Sequence, residues 1–192
     1  MPVYEKLAKE FEREENCLIA QINADDKTNF EVAQNYGVAS FPTLKYFNEG
    51  STYEGRPQTY EGPRTIEGFR KFMNEKCQTD RTEGGKLGNK AGIIEEYEEI
   101  VKNFMKSKSN EDRFNVATNA EKEIKSDKGQ VYLRVMSKVI LEGSGYLEKE
   151  SKRLTKVLDN DNVNEYKKDN FKAKLNVIGL FKSFKSIQHN EL

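Results

Sequence analysis

The chain has no tryptophan, one histidine and only two cysteines in 192 residues. Each scarcity excludes a chemistry. The histidine, His189, stands among the last residues, so the body of the chain has no imidazole to serve a Ser-His-Asp or Cys-His set as base. A zinc centre needs clustered cysteine and histidine ligands, and two distant cysteines with one tail histidine are no such set. No Cys-x-x-Cys occurs, so an accessible thiolate with a resolving partner has no local motif. No metal, no cofactor and no catalytic residue are expected. Two cysteines are also too few for a disulfide framework. Cys17, in NCLIAQINA, reads as a buried strand residue, and Cys77, in FMNEKCQ, as a helix end. Both read as unpaired structural thiols, since free cysteine is often buried; pairing between them stays open, with no local signature for it. No apolar run approaches the ~20 residues that span a bilayer. Neither sign of charge prevails, with 32 Lys+Arg against 32 Asp+Glu. Without a net field, nucleic acid and membrane insertion are not expected.

What the chain does have is polarity with enough core material for two small domains. Charged residues make up 33% and apolar residues 35%, and the mean hydropathy is -0.87, which suits helical units with large solvated faces. Val3, Leu7, Ala8 and Phe11 follow helical spacing behind Pro2, a residue suited to a first turn. CLIAQIN, from Cys17 to Asn23, reads as a strand, followed by the Asp25-Asp26 turn. Asn29 to Tyr36 reads as a short helix capped by Gly37. Phe41-Pro42 breaks any helix, Thr43 to Phe47 alternates as a strand, and Tyr60 to Gly62 ends a second one. Ile66, Phe69, Phe72 and Met73 share one face of a helix over Arg64 to Glu75. Residues 78–90, from QTDRTEGGKLGN onward, are glycine-rich and lack aromatics, and read as a linker between a first domain at 1–77 and a second at 91–187. Gly84-Gly85-Lys86 lacks the spacing and hydroxyl residue of a phosphate loop.

Beyond Ala91 five stripes recur. They run through Ile94, Tyr97, Val101 and Phe104; Phe114, Ala117, Ala120 and Ile124; Tyr132, Val135, Met136 and Val139; Leu147, Leu154 and Leu158; and Phe171, Leu175, Ile178 and Phe181. Breaks at Ser107–Asn110, Ser126–Gly129, Gly143–Gly145 and Asp159–Asn162 separate them. Five amphipathic helices joined by short loops predict a helical bundle. The Glu95-Glu96-Tyr97-Glu98-Glu99 run reads as a solvated helix face. The Asp159 to Asn162 run lacks the glycine and closing glutamate of a calcium loop and reads as an acidic turn.

NYGVASFPTLKYFNEG, from Asn35 to Gly50, resembles the second half of a thioredoxin domain. With PVYEKLAKEF, CLIAQINAD and KFMNEKC it resembles the protein disulfide isomerase family over Pro2 to Cys77. The glycine-rich segment and five stripes resemble the helical domain that follows the thioredoxin domains in some of its members and forms the C-terminal half of a small endoplasmic-reticulum chaperone. The resemblance implies a partial thioredoxin-like α/β fold followed by an all-α five-helix bundle. It implies a cis bond before Pro42, and a client-binding surface at Phe41, Pro42 and Thr43. It also implies that the chain starts after the family's first two strands and catalytic cysteines, so the central strand of the family sheet would be missing and the first half conformationally weak.

The last residues, His189, Asn190, Glu191 and Leu192, resemble the HDEL and KDEL retrieval signals. The start carries no signal-peptide core. Both are reconciled if the chain is the C-terminal part of a longer protein of the endoplasmic-reticulum lumen. The resemblance implies thiol-disulfide exchange on folding secretory proteins as the parent activity, redox-inactive in this chain, with unfolded clients and a retrieval receptor as partners. The alternative is a redox-inactive chaperone or peptide-binding module of the same compartment.

Overall fold

The structure is a computed structural model and describes residues 2–48 and 57–186. It divides into two compact units, Met1–Lys86 and Leu87–Leu192. In the first, α1 (Pro2–Phe11) opens on the expected proline and buries Leu7 and Phe11. A single 3-10 turn leads into α2 (Phe30–Asn35), which Gly37 ends at φ 62. That left-handed conformation is cheap only for glycine. Two short strands, β1 (Lys45–Tyr46) and β2 (Gln58–Thr59), pair antiparallel, with Lys45 opposite Thr59 and Tyr46 opposite Gln58. The ladder extends through a bond from the Tyr60 N–H to the Leu44 carbonyl at 2.9 Å.

The helix α3 (Ile66–Cys77) begins where the Thr65 hydroxyl accepts from the Gly68 N–H, an N-cap that satisfies a donor the helix cannot. It ends at Gln78 in the left-handed region, φ 51. Phe69 from α3, Leu7 and Phe11 from α1, and Tyr60 form a small core, with Cys17, Ile19, Phe72 and Met73 against its edge.

The expected strand over Cys17 to Asn23 does not form. Its apolar alternation is present, but a strand is held by a neighbour's backbone, and among the described residues none pairs with it. The expected strand over Thr43 to Phe47 narrows to β1 for the same reason. Residues 79–86 are ordered against α1 and α3. Glu10 takes two hydrogen bonds from Arg70, at 2.7 and 2.8 Å, and one from the Gly84 N–H at 3.1 Å. Arg81 donates to Glu14 and to the Gly85 carbonyl, which Arg13 also reaches. Burial alone would raise the Glu10 carboxyl, but the bonds from Arg70 and Gly84 outweigh it and hold it below the ordinary range. The side chain of Asn74 completes the clasp, accepting from the Arg81 N–H and donating to its carbonyl.

The second unit has the five helices its stripes predict: α4 (Glu98–Lys106), α5 (Asn110–Glu123), α6 (Gln130–Glu142), α7 (Gly145–Leu158) and α8 (Glu165–Ser186). Their inward faces meet in one core. Val101, Phe104, Ile124, Tyr132, Val135, Met136, Val139, Leu154, Ile178 and Phe181 are 0–1% exposed there. Each such side chain stabilises the fold by roughly 1.5–3 kcal/mol relative to exposure. One stripe residue departs. Phe114 is 62% exposed, because the inward face of α5 runs through Val116, Ala117, Ala120 and Ile124. The Tyr132 hydroxyl accepts from the Ile94 N–H and donates to the Gly92 carbonyl, and burial pushes it up to about 12. Asn176 donates to the carbonyls of Gly88 and Ala91, both at 2.9 Å, which docks the start of the unit on α8. Gly92 sits where an added Cβ would come within 2.8 Å of Ala173, so a larger residue would push α8 away.

Candidate functional site: the cis-proline turn

Helix α2, its glycine cap and β1 set the ends of a turn that carries Phe41, Pro42 and Thr43. The Phe41–Pro42 bond is cis, as the resemblance implies. Phe41 is 63% exposed. Thr43 folds back, its hydroxyl donating to the Ser40 carbonyl at 2.5 Å, and Arg64 donates to the Pro42 carbonyl at 3.1 Å. The rings of Tyr36 and Phe47 meet edge to face at 5.3 Å, joining the end of α2 to the end of β1. In the sequence Arg64 only marks the start of a helical stretch, one cation among many. Its link to Pro42, 22 residues away, exists only in the fold.

The cysteines correct the sequence reading. Cys17 and Cys77 form a disulfide with Cα atoms 5.9 Å apart and a sequence separation of 60. The reading as two unpaired thiols fails because it judged each cysteine by its own neighbours. Cys77 closes α3, and the chain after α1 passes that helix end, where Asn16 also donates to the Cys77 carbonyl. With both sulfurs joined, the structure has no free cysteine.

A shallow groove of about 580 Å³ in the second unit is lined by residues that include Asn89, Ile93, Ser151, Lys172, Asn176 and Lys182. Four of its polar side chains have partners within the fold: Lys172 bonds Asn89, Asn176 holds two carbonyls, and Lys182 pairs with Glu148. Beside it, Glu150 accepts from Arg153 on its own helix and from Lys174 on α8. The Arg153 bonds, with Lys174, outweigh burial and pull its carboxyl down to about 2. This is a strut between α7 and α8 and brings no nucleophile with it. No described helix is long and apolar enough to cross a membrane. The tail residues His189 to Leu192 lie outside the described residues.

The family model "Thioredoxin" matches residues 1–75 and the model "Endoplasmic reticulum protein ERp29, C-terminal domain" matches residues 92–181. "Protein disulfide isomerase-like 2-1" of Oryza sativa subsp. japonica is 35% identical over 188 residues, 95% of this chain and 50% of that protein. "Protein disulfide-isomerase erp38" of Neurospora crassa is 37% identical over 187 residues, 94% of this chain and 49% of that protein. The chain thus pairs a thioredoxin match with an ERp29 C-terminal match, and over nearly its whole length it is similar to protein disulfide isomerases. It spans about half the length of these two relatives. "Protein disulfide-isomerase" of Gallus gallus is 42% identical over 73 residues, 38% of this chain and 13% of that protein. No solved structure matches. This chain combines a thioredoxin-type unit and an ERp29-type helical unit, and its only cysteines are tied to each other.

Proposed function

We propose that these residues are a client-holding part of a protein disulfide isomerase of the endoplasmic-reticulum lumen. Thiol-disulfide exchange on folding secretory proteins would be the activity of the whole protein, and this stretch would be redox-inactive by itself. The observation that carries the reading is the pairing of an exposed cis Phe41–Pro42 turn with a chain that has no Cys-x-x-Cys. Exchange needs an attacking thiolate, and Cys17 and Cys77 are both committed to one bond. The turn presents an apolar ring beside backbone that Thr43 and Arg64 hold in place, a surface on which unfolded chain can rest without being reacted. Insulin reduction by dithiothreitol tests this. The chain should accelerate it no more than a Cys17→Ser/Cys77→Ser variant does; a clear excess over that control would defeat the redox-inactive reading.

A second reading is a stand-alone chaperone or peptide-binding module. The first unit leaves Leu18, Ile22, Phe30, Phe41 and Phe47 exposed, and that favours it, since apolar surface open to water is available for binding. This module should suppress aggregation of a reduced, denatured client without any thiol present, and Phe41→Ser should weaken the effect. Equal suppression by both forms would remove Phe41 from the binding surface. His189 to Leu192 would serve recycling by a retrieval receptor. A secreted reporter ending in HNEL should be retained relative to a scrambled ending, and equal secretion would defeat that role.

A further inference from the structure

The Cys17–Cys77 disulfide joins a segment that, among the described residues, little else holds. Residues 17–23 belong to no helix or strand. Leu18 is 90% exposed and Ile22 54%, and only Ile19 and Cys17 itself lean on the core of the first unit. The polar ties from this stretch to the rest of that unit are weak ones: Tyr4 donates to the Ala20 carbonyl at 3.4 Å and Asn16 to the Cys77 carbonyl at 3.3 Å, both exposed. The bonds that shape residues 23–29 are internal. The Asn23 side chain accepts from the Asp25 N–H, Asp26 from Thr28, and Asn29 donates to the Asn23 carbonyl. They keep a turn in form, and none of them reaches another part of the described first unit. Upstream, by contrast, Glu14 is firmly held by Arg81. The far end is fixed by the Tyr36–Phe47 ring contact.

We infer that the disulfide is a redox-sensitive latch. It fixes residues 17–29 to the end of α3 in place of a strand ladder, and its reduction frees that segment while the rest of the first unit stays folded. Both cysteines are partly exposed, so a thiolate can reach the bond, the access that exchange requires. In the step, a dithiol reductant attacks one sulfur, the Cys17–Cys77 bond breaks, and a mixed disulfide forms. The reductant's second thiol then displaces it. The reductant closes its own disulfide, losing two electrons and two protons, and Cys17 and Cys77 each become a thiol. Freeing the segment uncovers the edge of the Leu7, Phe11 and Phe69 core, against which Cys17 and Ile19 now lie. The latch needs no client to open.

The molecule carries its own control. Both cysteines lie in the first unit and none lies in the second, so reduction has no bond to break among the helices α4–α8. Hydrogen exchange of the full chain, oxidised and in dithiothreitol, tests the latch. The hydrogen-bonded amides of this stretch, those of Cys17, Asp25, Asp26, Thr28 and Asn29, should exchange at least about tenfold faster on reduction, while those of α1, the body of α3 and α4–α8 keep their rates. A Cys17→Ser/Cys77→Ser variant should reproduce the reduced pattern and ignore the reductant. Unchanged rates over 17–29 would show that packing holds the segment and overturn the latch. Collective loss of protection throughout α1 and α3 would also overturn it, by showing a bond that supports the whole unit. Free thiols titrated in the untreated protein would overturn it at the outset.

Discussion

The two units of this chain are similar in length and unlike in how they are held. Among the described residues the helical unit buries fourteen apolar side chains in one core, and the thioredoxin-type unit buries four. The exposed large apolar residues are distributed the other way: Val3, Leu18, Ile22, Phe30, Val32, Phe41 and Phe47 in the first unit, and Phe114, Leu141 and Tyr166 in the second. The cause is the reach of the backbone hydrogen bonds. A helix satisfies its own amides within a few residues, so each stripe in 98–186 makes its element and then needs only neighbours for one face. A strand satisfies its amides on another strand, so Cys17 to Asn23 keeps its pattern without gaining a partner or burying its outward side chains. The first unit compensates with devices of another kind: a disulfide across 60 positions and the arginine clasp of Glu10, Glu14, Arg70 and Arg81.

The sharpest way to break this comparison is to remove one aromatic from each core. Phe181→Ala should cost about 3–5 kcal/mol, the usual penalty for deleting a fully buried ring, and should lower the main helical melt followed by circular dichroism at 222 nm. Phe69→Ala should leave that melt in place and affect only exchange in α1 and α3. If both variants shift the same transition equally, the units are not energetically separate.

A smaller effect is expected from acid. With its carboxyl drawn down to about 2 from an ordinary 4.5, Glu150 supplies stability that is fully present above pH 4.5 and is lost as the pH falls toward 2. Because Arg153 is half exposed, solvent screening reduces the contribution to about 1 kcal/mol. Glu150→Gln should remove this part of the acid dependence of the helical melt and leave the neutral-pH value lower. An unchanged pH profile would count against the α7–α8 strut.

The smallest effect compares two caps. Thr65 opens α3 and Ser109 opens α5, each accepting from the backbone N–H three residues on. Thr65→Ala and Ser109→Ala should each cost ~1 kcal/mol. The same loss should raise exchange more visibly in the first unit, where fewer buried contacts oppose opening. Equal increases would mean the two units have similar reserves.

The helical half was legible in the sequence nearly residue by residue, since i, i+3, i+4 spacing records both the element and its buried face. Phe114 misled because its spacing fits the stripe, while the contact face of α5 is decided by what packs against it. In the first half the legible parts were again local: the α2 helix with its Gly37 cap, and the α3 face. The cis bond at Pro42 followed from resemblance to a family. The strand over CLIAQIN was over-read, because alternation describes what a strand would bury and says nothing of whether a partner is present.

The sequence by itself determined the five amphipathic helices and their breaks, the want of a Cys-x-x-Cys, the balanced charge, and the family likeness carried by its proline turn. These are properties of composition and of neighbours a few positions apart. Tertiary structure alone decided that Cys17 meets Cys77, that Arg64 holds the Pro42 carbonyl, that Glu10 receives Arg70 and Gly84, and that Lys174 reaches Glu150. Each of these brings together groups separated by 22 to 74 positions. The chain can close such loops in many ways, and which of them it closes depends on the packing that places the groups within bonding distance.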